Sequence, residues 1–133
     1  MITIINQKKL KAIILIAGFY NVGFVLFHIS FWKLFQWDSE IKKLSFTNNA
    51  ILQILNIQII YFFIFVSIAC FVFPNELLST PFGKFFLAGT SLFWLIRTIQ
   101  QFIFLRVNNF KIHLLTLIFL IGTILFTISL LNF

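Results

Sequence analysis

Within Leu92 to Phe104, LFWLIRTIQQFIF, a guanidinium and two amides, Arg97, Gln100 and Gln101, interrupt a run of otherwise membrane-spanning character. An arginine at bilayer depth costs about 2.5–3.5 kcal/mol even on lenient insertion scales, so it needs a partner or a use. Its charge is permanent and its donors form a rigid fork, which suits a lipid phosphate, a carboxylate or a quinone oxygen in a dry setting. The simplest partner is missing from the neighbourhood. Asp38, Glu40 and Glu76 are the only acids, and each lies between the apolar runs.

The remaining polar residues at depth are His28 and Asn56, with Gln58 and Tyr61 beside them on the second run. His28 could shuttle a proton, ligate a metal or haem, or serve as a neutral hydrogen-bonding partner. Haem with two histidines would need His113, about 10 Å away in depth at 1.5 Å per residue. Two histidines without a thiolate or carboxylate cluster make a poor metal site. No cofactor and no metal are therefore expected. Nucleophilic hydrolysis needs a Ser or Cys, a base and an orienting acid, and no acid falls inside a run. Cys70, the single cysteine, lies in an apolar run as packing. The 21 phenylalanines are taken as lipid-facing or core filler. Binding or passage fits these residues better than bond-making catalysis, with a redox or transferase enzyme left open as a further alternative.

Four apolar runs must position these groups. The 133 residues are 61% hydrophobic and 20% aromatic, with a mean hydropathy of +1.06, more apolar surface than one water-facing core of this size can hide. The pattern predicts helices over about 11–35, 49–73, 82–107 and 111–132, with 36–48, QWDSEIKKLSFTN, as an amphipathic segment at the interface. Lysines at 8, 9 and 11 precede the first run, as in a signal peptide. The run is longer than a signal h-region and no A-x-A site follows, so it reads as a retained helix. Pro74 closes the second helix, and Ser79-Thr80-Pro81 opens the third. The fold class is all-α, an integral membrane four-helix bundle with antiparallel up-down topology, in one transmembrane domain covering 1–133.

The net charge of +7 does not imply nucleic acid, because the basic residues flank the apolar runs, where they meet lipid phosphates. Both termini fall on one side. That side carries Lys8, Lys9, Lys11 and Lys84, and the other Lys33, Lys42, Lys43, Arg106 and Lys111. The balance is close; the cluster before the first helix points to cytoplasmic termini in a bacterial inner membrane.

Measured from the terminus side, His28 lies about 24 Å deep, Asn56 about 25 Å, Gln58 about 22 Å, Arg97 about 19 Å, and Gln100 and Gln101 about 24–25 Å. On the third helix Thr90, Trp94, Arg97 and Gln101 share a stripe, with Gln100 beside it; on the second, Asn49, Gln53 and Asn56 do. The simplest arrangement gathers His28, Asn56, Arg97 and Gln101 around one interior pocket, with Thr116 and Thr123 contributing from the fourth helix, and Gln100 completes the five residues expected to bind the ligand. Two roles stay open for Arg97: anchor for an anionic, lipidic or quinone-like ligand, or structural hub satisfied by Asn56, Gln101 and backbone carbonyls. A third option makes the chain an accessory subunit of a larger membrane complex or a homo-oligomer, docking through Gln58, Tyr61 and the 36–48 segment.

The segments FHISFWKLFQW, NIQIIY and LIRTIQQF resemble the recurring pattern of small, uncharacterised bacterial four-helix membrane proteins. That resemblance implies four spans and a polar interior involving His28, Asn56, Arg97 and Gln101, and no activity. In size and span count alone the chain is also similar to DoxX-like proteins.

Overall fold

The computed structural model describes residues 5–132, and every regular element among them is helical. Helix α1 spans Gln7–Ile29; the Asn6 side chain caps it by accepting from the Lys8 amide. It begins earlier than the predicted 11 and ends earlier than the predicted 35. Short helices α2 (Phe31–Leu34) and α3 (Trp37–Glu40) follow, then a 3-10 turn, Ile41–Lys43. Helix α1 closes at Ser30, whose hydroxyl bonds back to Leu26 O, and Gln36, at φ 50°, separates α2 from α3, since a left-handed residue cannot propagate a helix.

Helix α4 (Phe46–Val72) is capped by the Ser45 hydroxyl, which accepts from the Asn48 amide, so it starts three residues before the predicted 49. Pro74 ends it and immediately opens α5 (Pro74–Ser79), where the sequence suggested only a loop. Helix α6 (Pro81–Phe104) has Thr80 as its cap, accepting from the Gly83 amide, and Pro81 in its first turn. It stops at Phe104 rather than 107. Residues 105–109 unwind through two short backbone bonds, from the Val107 amide to Leu105 O and from the Asn109 amide to Val107 O. Asn109 then caps α7 (Phe110–Leu131) by accepting from the Lys111 amide.

Three of these helices, α1, α4 and α7, are long and apolar enough to cross a membrane, which is compatible with a multi-pass membrane protein. Helix α6 matches them in length but is diluted by Lys84, Arg97, Gln100 and Gln101. The outward faces are largely apolar, with Phe19, Phe85 and Phe102 69%, 74% and 62% exposed, although Gln58 and Tyr61 also face outward on α4.

The long helices pack in the spatial order α4, α1, α7, α6, each closely against the next, with α5 tucked against α1, α4 and α6. Gly18 O meets the Ser67 hydroxyl and His28 meets Asn56 along α1 and α4. Ser91 meets Thr127 and Arg97 meets Phe119 along α6 and α7. The remaining pair, α4 and α6, makes almost no backbone approach. Aromatic side chains bridge it instead: Phe62 to Phe93 at 4.7 Å, Phe63 to Trp94 at 5.4 Å and Phe65 to Phe86 at 6.2 Å between ring centroids.

Trp94, wholly buried, is the hub of that core. It stacks on Phe63 at an interplanar angle of 11° and packs against Tyr20, Phe24 and Phe119. Such ring pairs are worth about 0.5–1.5 kcal/mol each beyond their burial. Gly122 makes room for it: a Cβ there would lie 2.9 Å from the Trp94 ring and 2.5 Å from the Tyr20 hydroxyl. Tyr20 is itself held, donating to Ile118 O at 2.7 Å. Gly122→Ala is therefore expected to destabilise the fold by about 1–3 kcal/mol through overpacking. Gly89→Ala, where a Cβ meets nothing within 4 Å, gains helix propensity instead. Thermal melts in detergent should show the first variant below wild type and the second at or above it.

Candidate functional site

Just beyond Trp94, where α4 and α6 are held apart, lies a cavity of about 600 Å³, within the range of small-molecule sites. Its walls come from Phe24, His28 and Phe31 of α1 and α2, Leu52, Leu55, Asn56, Ile59 and Phe63 of α4, Phe93, Trp94, Arg97 and Gln100 of α6, and Phe119 of α7. Trp37 covers one end. The mouth lies between α4 and α6, where Leu55 is 60% exposed and Gln100 is exposed too.

Four of the five residues expected to form the site border this one cavity: His28, Asn56, Arg97 and Gln100. Gln101 does not. It turns to the α7 side, where it borders a smaller cavity of about 220 Å³ with Arg106, Asn108, His113 and Thr116. Gln100 and Gln101 are neighbours in sequence, so about 100° of helical rotation separates them, and only one can face the α4 side. Gln101 is 1% exposed, and its Oε1 and Nε2 have no hydrogen-bond partner among the described residues. Thr116 and Thr123 bond back to Ile112 O and Phe119 O, as threonines in helices often do, and neither borders the larger cavity.

The predicted stripe on α4 exists, but it serves α1 and the segment after it. Asn56 Nδ2 donates to His28 O at 3.0 Å, and Asn56 Oδ1 lies 2.8 Å from His28 Nδ1. An amide oxygen only accepts, so the His28 ring carries a proton on Nδ1 and, when neutral, offers Nε2 as an acceptor. One turn along, the Trp32 indole donates to Gln53 Oε1, Gln53 Nε2 donates to Asn49 Oδ1, and Asn49 Nδ2 donates to Ile41 O. This ladder folds the 36–48 segment over the end of the cavity. Trp37 and Ile41 are buried there, while Asp38, Glu40, Lys42 and Lys43 face outward, with Lys43 bonded to Glu40 at 2.7 Å. The amphipathic character of the segment was legible; that Trp37 and Ile41 pack onto the protein while Leu44 and Phe46 stay exposed was not.

Arg97 is left with one contact, its Cζ 4.4 Å from the centroid of the Phe119 ring. Among the described residues it makes no hydrogen bond and no ion pair. Its fork therefore stands half-buried at the cavity wall beside an aromatic face, and His28 borders the same cavity. Phe119 is the site residue that sequence reasoning missed. One phenylalanine among 21 carries no local signal, and only helix packing selects it. Chemically, the cavity offers donors from Arg97, an amide of Gln100 that both donates and accepts, an acceptor from His28, and an indole N–H of Trp94 with no partner among the described residues, in an otherwise apolar wall.

Gln58 and Tyr61 stay outside, exposed on the far face of α4. Cys70 is buried among apolar side chains. His113 pairs with Asn108 at the α6–α7 link, remote from His28.

Opposite effects are expected from two leucine substitutions. Asn56→Leu strips partners from the His28 Nδ1–H and carbonyl and should cost about 1–3 kcal/mol. Gln101→Leu replaces two orphaned polar atoms with hydrocarbon and should leave stability unchanged or raised. Melting temperatures in the same detergent check both. Compared with protein-family models, curated proteins and solved structures, the chain matches none of them.

Proposed function

We propose that the chain is a small polytopic membrane protein, a four-span antiparallel bundle, whose intramembrane cavity binds a small anionic, lipidic or quinone-like ligand through Arg97. The observation that carries this reading is the guanidinium facing the cavity without an acceptor. A cation–π contact returns about 0.5–2 kcal/mol, while a guanidinium at bilayer depth costs about 2.5–3.5 kcal/mol. The shortfall is made up by an acceptor from outside the chain.

Contact pairs support the topology. Along α1 and α4, Gly18 faces Ser67 and His28 faces Asn56, so one helix descends as the other rises. The same order runs along α6 and α7 through Ser91 with Thr127 and Arg97 with Phe119. The fourth span is α6, whose polar stripe turns to the cavity and to α7 rather than to lipid. Both termini then fall on one side, and the Ile5 amide, bonded to Asn132 Oδ1, joins the two ends. With Lys8, Lys9 and Lys11 on that side, the termini are cytoplasmic in a bacterial inner membrane.

The hub role for Arg97 loses its support, since Asn56 is committed to His28 and Gln101 faces elsewhere. Catalysis draws none either: among the described residues His28 is the one titratable base lining the cavity, and no acid lines it. The protein binds, carries or senses its ligand.

Wild type and Arg97→Ala, purified from the same membranes, should differ in co-purifying small amphiphiles by mass spectrometry, with an acidic or quinone-type species depleted at least tenfold in the variant. The variant should melt no lower than wild type. Equal contents overturn the ligand reading; a melting loss as large as that of Asn56→Leu restores the hub.

One observation favours a second reading. Tyr61 is 65% exposed and Gln58 exposed on the outer face of α4, and neither has a hydrogen-bond partner among the described residues. Polar groups aimed at lipid suit a contact with a second copy or a larger membrane complex. Native-detergent sizing should then find more than one chain, and Tyr61→Leu with Gln58→Leu should return a monomer; a monomeric wild type removes the docking role.

A further inference from the structure

The seam between α4 and α6 does not end at the Arg97 cavity. On the far side of the Phe62–Phe93 pair, a second cavity of about 300 Å³ lies between α4, α5 and α6. Phe65, Ile68, Ala69, Leu77, Gly83 and Phe86 line it with Phe73 and Phe82, and the polar residues Glu76, itself exposed, and Thr80 stand at its α5 border. On α6, Arg97, Phe93, Phe86 and Gly83 are spaced four, seven and three residues apart, so they fall on one face. The same seam therefore carries a cationic cavity at one end and a hydrocarbon cavity at the other.

We infer that this seam holds a single-chain amphiphile with a carboxylate head, the head on Arg97 and the tail running down α6 into the second cavity. The inference rests on the ligand reading above and specifies its substrate class. Length is the first argument. Arg97 and Phe86 are about 16 Å apart along the helix axis at 1.5 Å per residue. That span equals the hydrocarbon of one leaflet, about 15 Å, half of the bilayer core. Head chemistry is the second. One guanidinium presents a fork that matches a carboxylate bidentately, and His28 Nε2 can accept from the acid form. Shape is the third. Phe62 and Phe93, both half-buried, bridge α4 and α6 at 4.7 Å between ring centroids, so a tail joining the two cavities crosses their exposed edges. Because the mouth faces lipid between Leu55 and Gln100, such a molecule enters sideways from the bilayer.

The test uses the full chain in phosphatidylcholine nanodiscs and measures displacement of a fluorescent fatty acid by palmitate and by octanoate. Arg97→Ala should lose both by at least tenfold. Ala69→Trp, which fills the apolar cavity, should lose palmitate at least tenfold and keep octanoate within twofold. Ile68→Trp gives the same reading from a side chain already 52% exposed, where added bulk leaves the fold intact. If Arg97→Ala loses both acids while neither tryptophan variant separates them, the tail path is wrong and the Arg97 site stands. If octanoate and palmitate fail to displace the probe from wild type, the carboxylate class is wrong. If Arg97→Ala binds both acids as wild type does, the ligand reading fails with it.

Discussion

Trp94 decides the shape of this molecule. It is wholly buried at the one place where all four long helices contribute rings, stacked on Phe63 and enclosed by Tyr20, Phe24 and Phe119. An indole needs far more room than the small residues that let helix backbones approach, and the room is found by setting α4 and α6 apart. Gly122 absorbs the same bulk on the α7 side, so α6 and α7 stay in close contact while α4 and α6 do not. The cavity follows from that asymmetry. Beyond the indole, nothing of comparable size fills the gap, and Arg97, about one turn on, stands at its wall.

The polar residues divide into two sets with different work. Asn49, Gln53 and Asn56 are spent on structure: they hold the end of α1, the Trp32 indole and the backbone of the 36–48 segment, closing one end of the cavity. Each bond satisfies a group that would be expensive in hydrocarbon, so this set is saturated internally. Arg97 and Gln100 are not saturated, and they face the cavity together with the free nitrogen of His28. Saturated polar groups specify packing; Arg97 and Gln100 keep their hydrogen-bonding capacity open toward the cavity. His28 belongs to both sets, because its Nδ1 fixes the tautomer that exposes Nε2.

Depth and helical face were legible from numbering alone; of the four residues gathered that way around one pocket, His28, Asn56 and Arg97 border one cavity, and Gln100 takes the place expected of Gln101. Partnership was not. Helical periodicity puts Arg97 and Gln101 on one broad stripe, yet that stripe is wide enough to straddle two neighbours: Arg97 faces the α4 gap and Gln101 faces α7. Likewise Thr116 and Thr123 share a face of the last helix, but their hydroxyls return to their own backbone. The missed Phe119 shows the same limit from the other direction, since its role comes from the crossing of α6 over α7 and from nothing local.

What the amino-acid sequence determined by itself is the class of object: apolar helices long enough for a bilayer, punctuated by Pro74, Pro81 and the Asn109 cap, with every acid outside the runs. Composition and periodicity are properties of the chain, and hydrogen bonding forces the backbone of such segments into helix wherever lipid surrounds them. Only the tertiary structure decided where the left-handed Gln36 interrupts the first connection, which amides pair, and which edge of the helix array stays open. Those outcomes depend on the volumes of side chains meeting across helices, a Trp94 against a Gly122, and volume complementarity between distant residues is written in no single stretch of sequence.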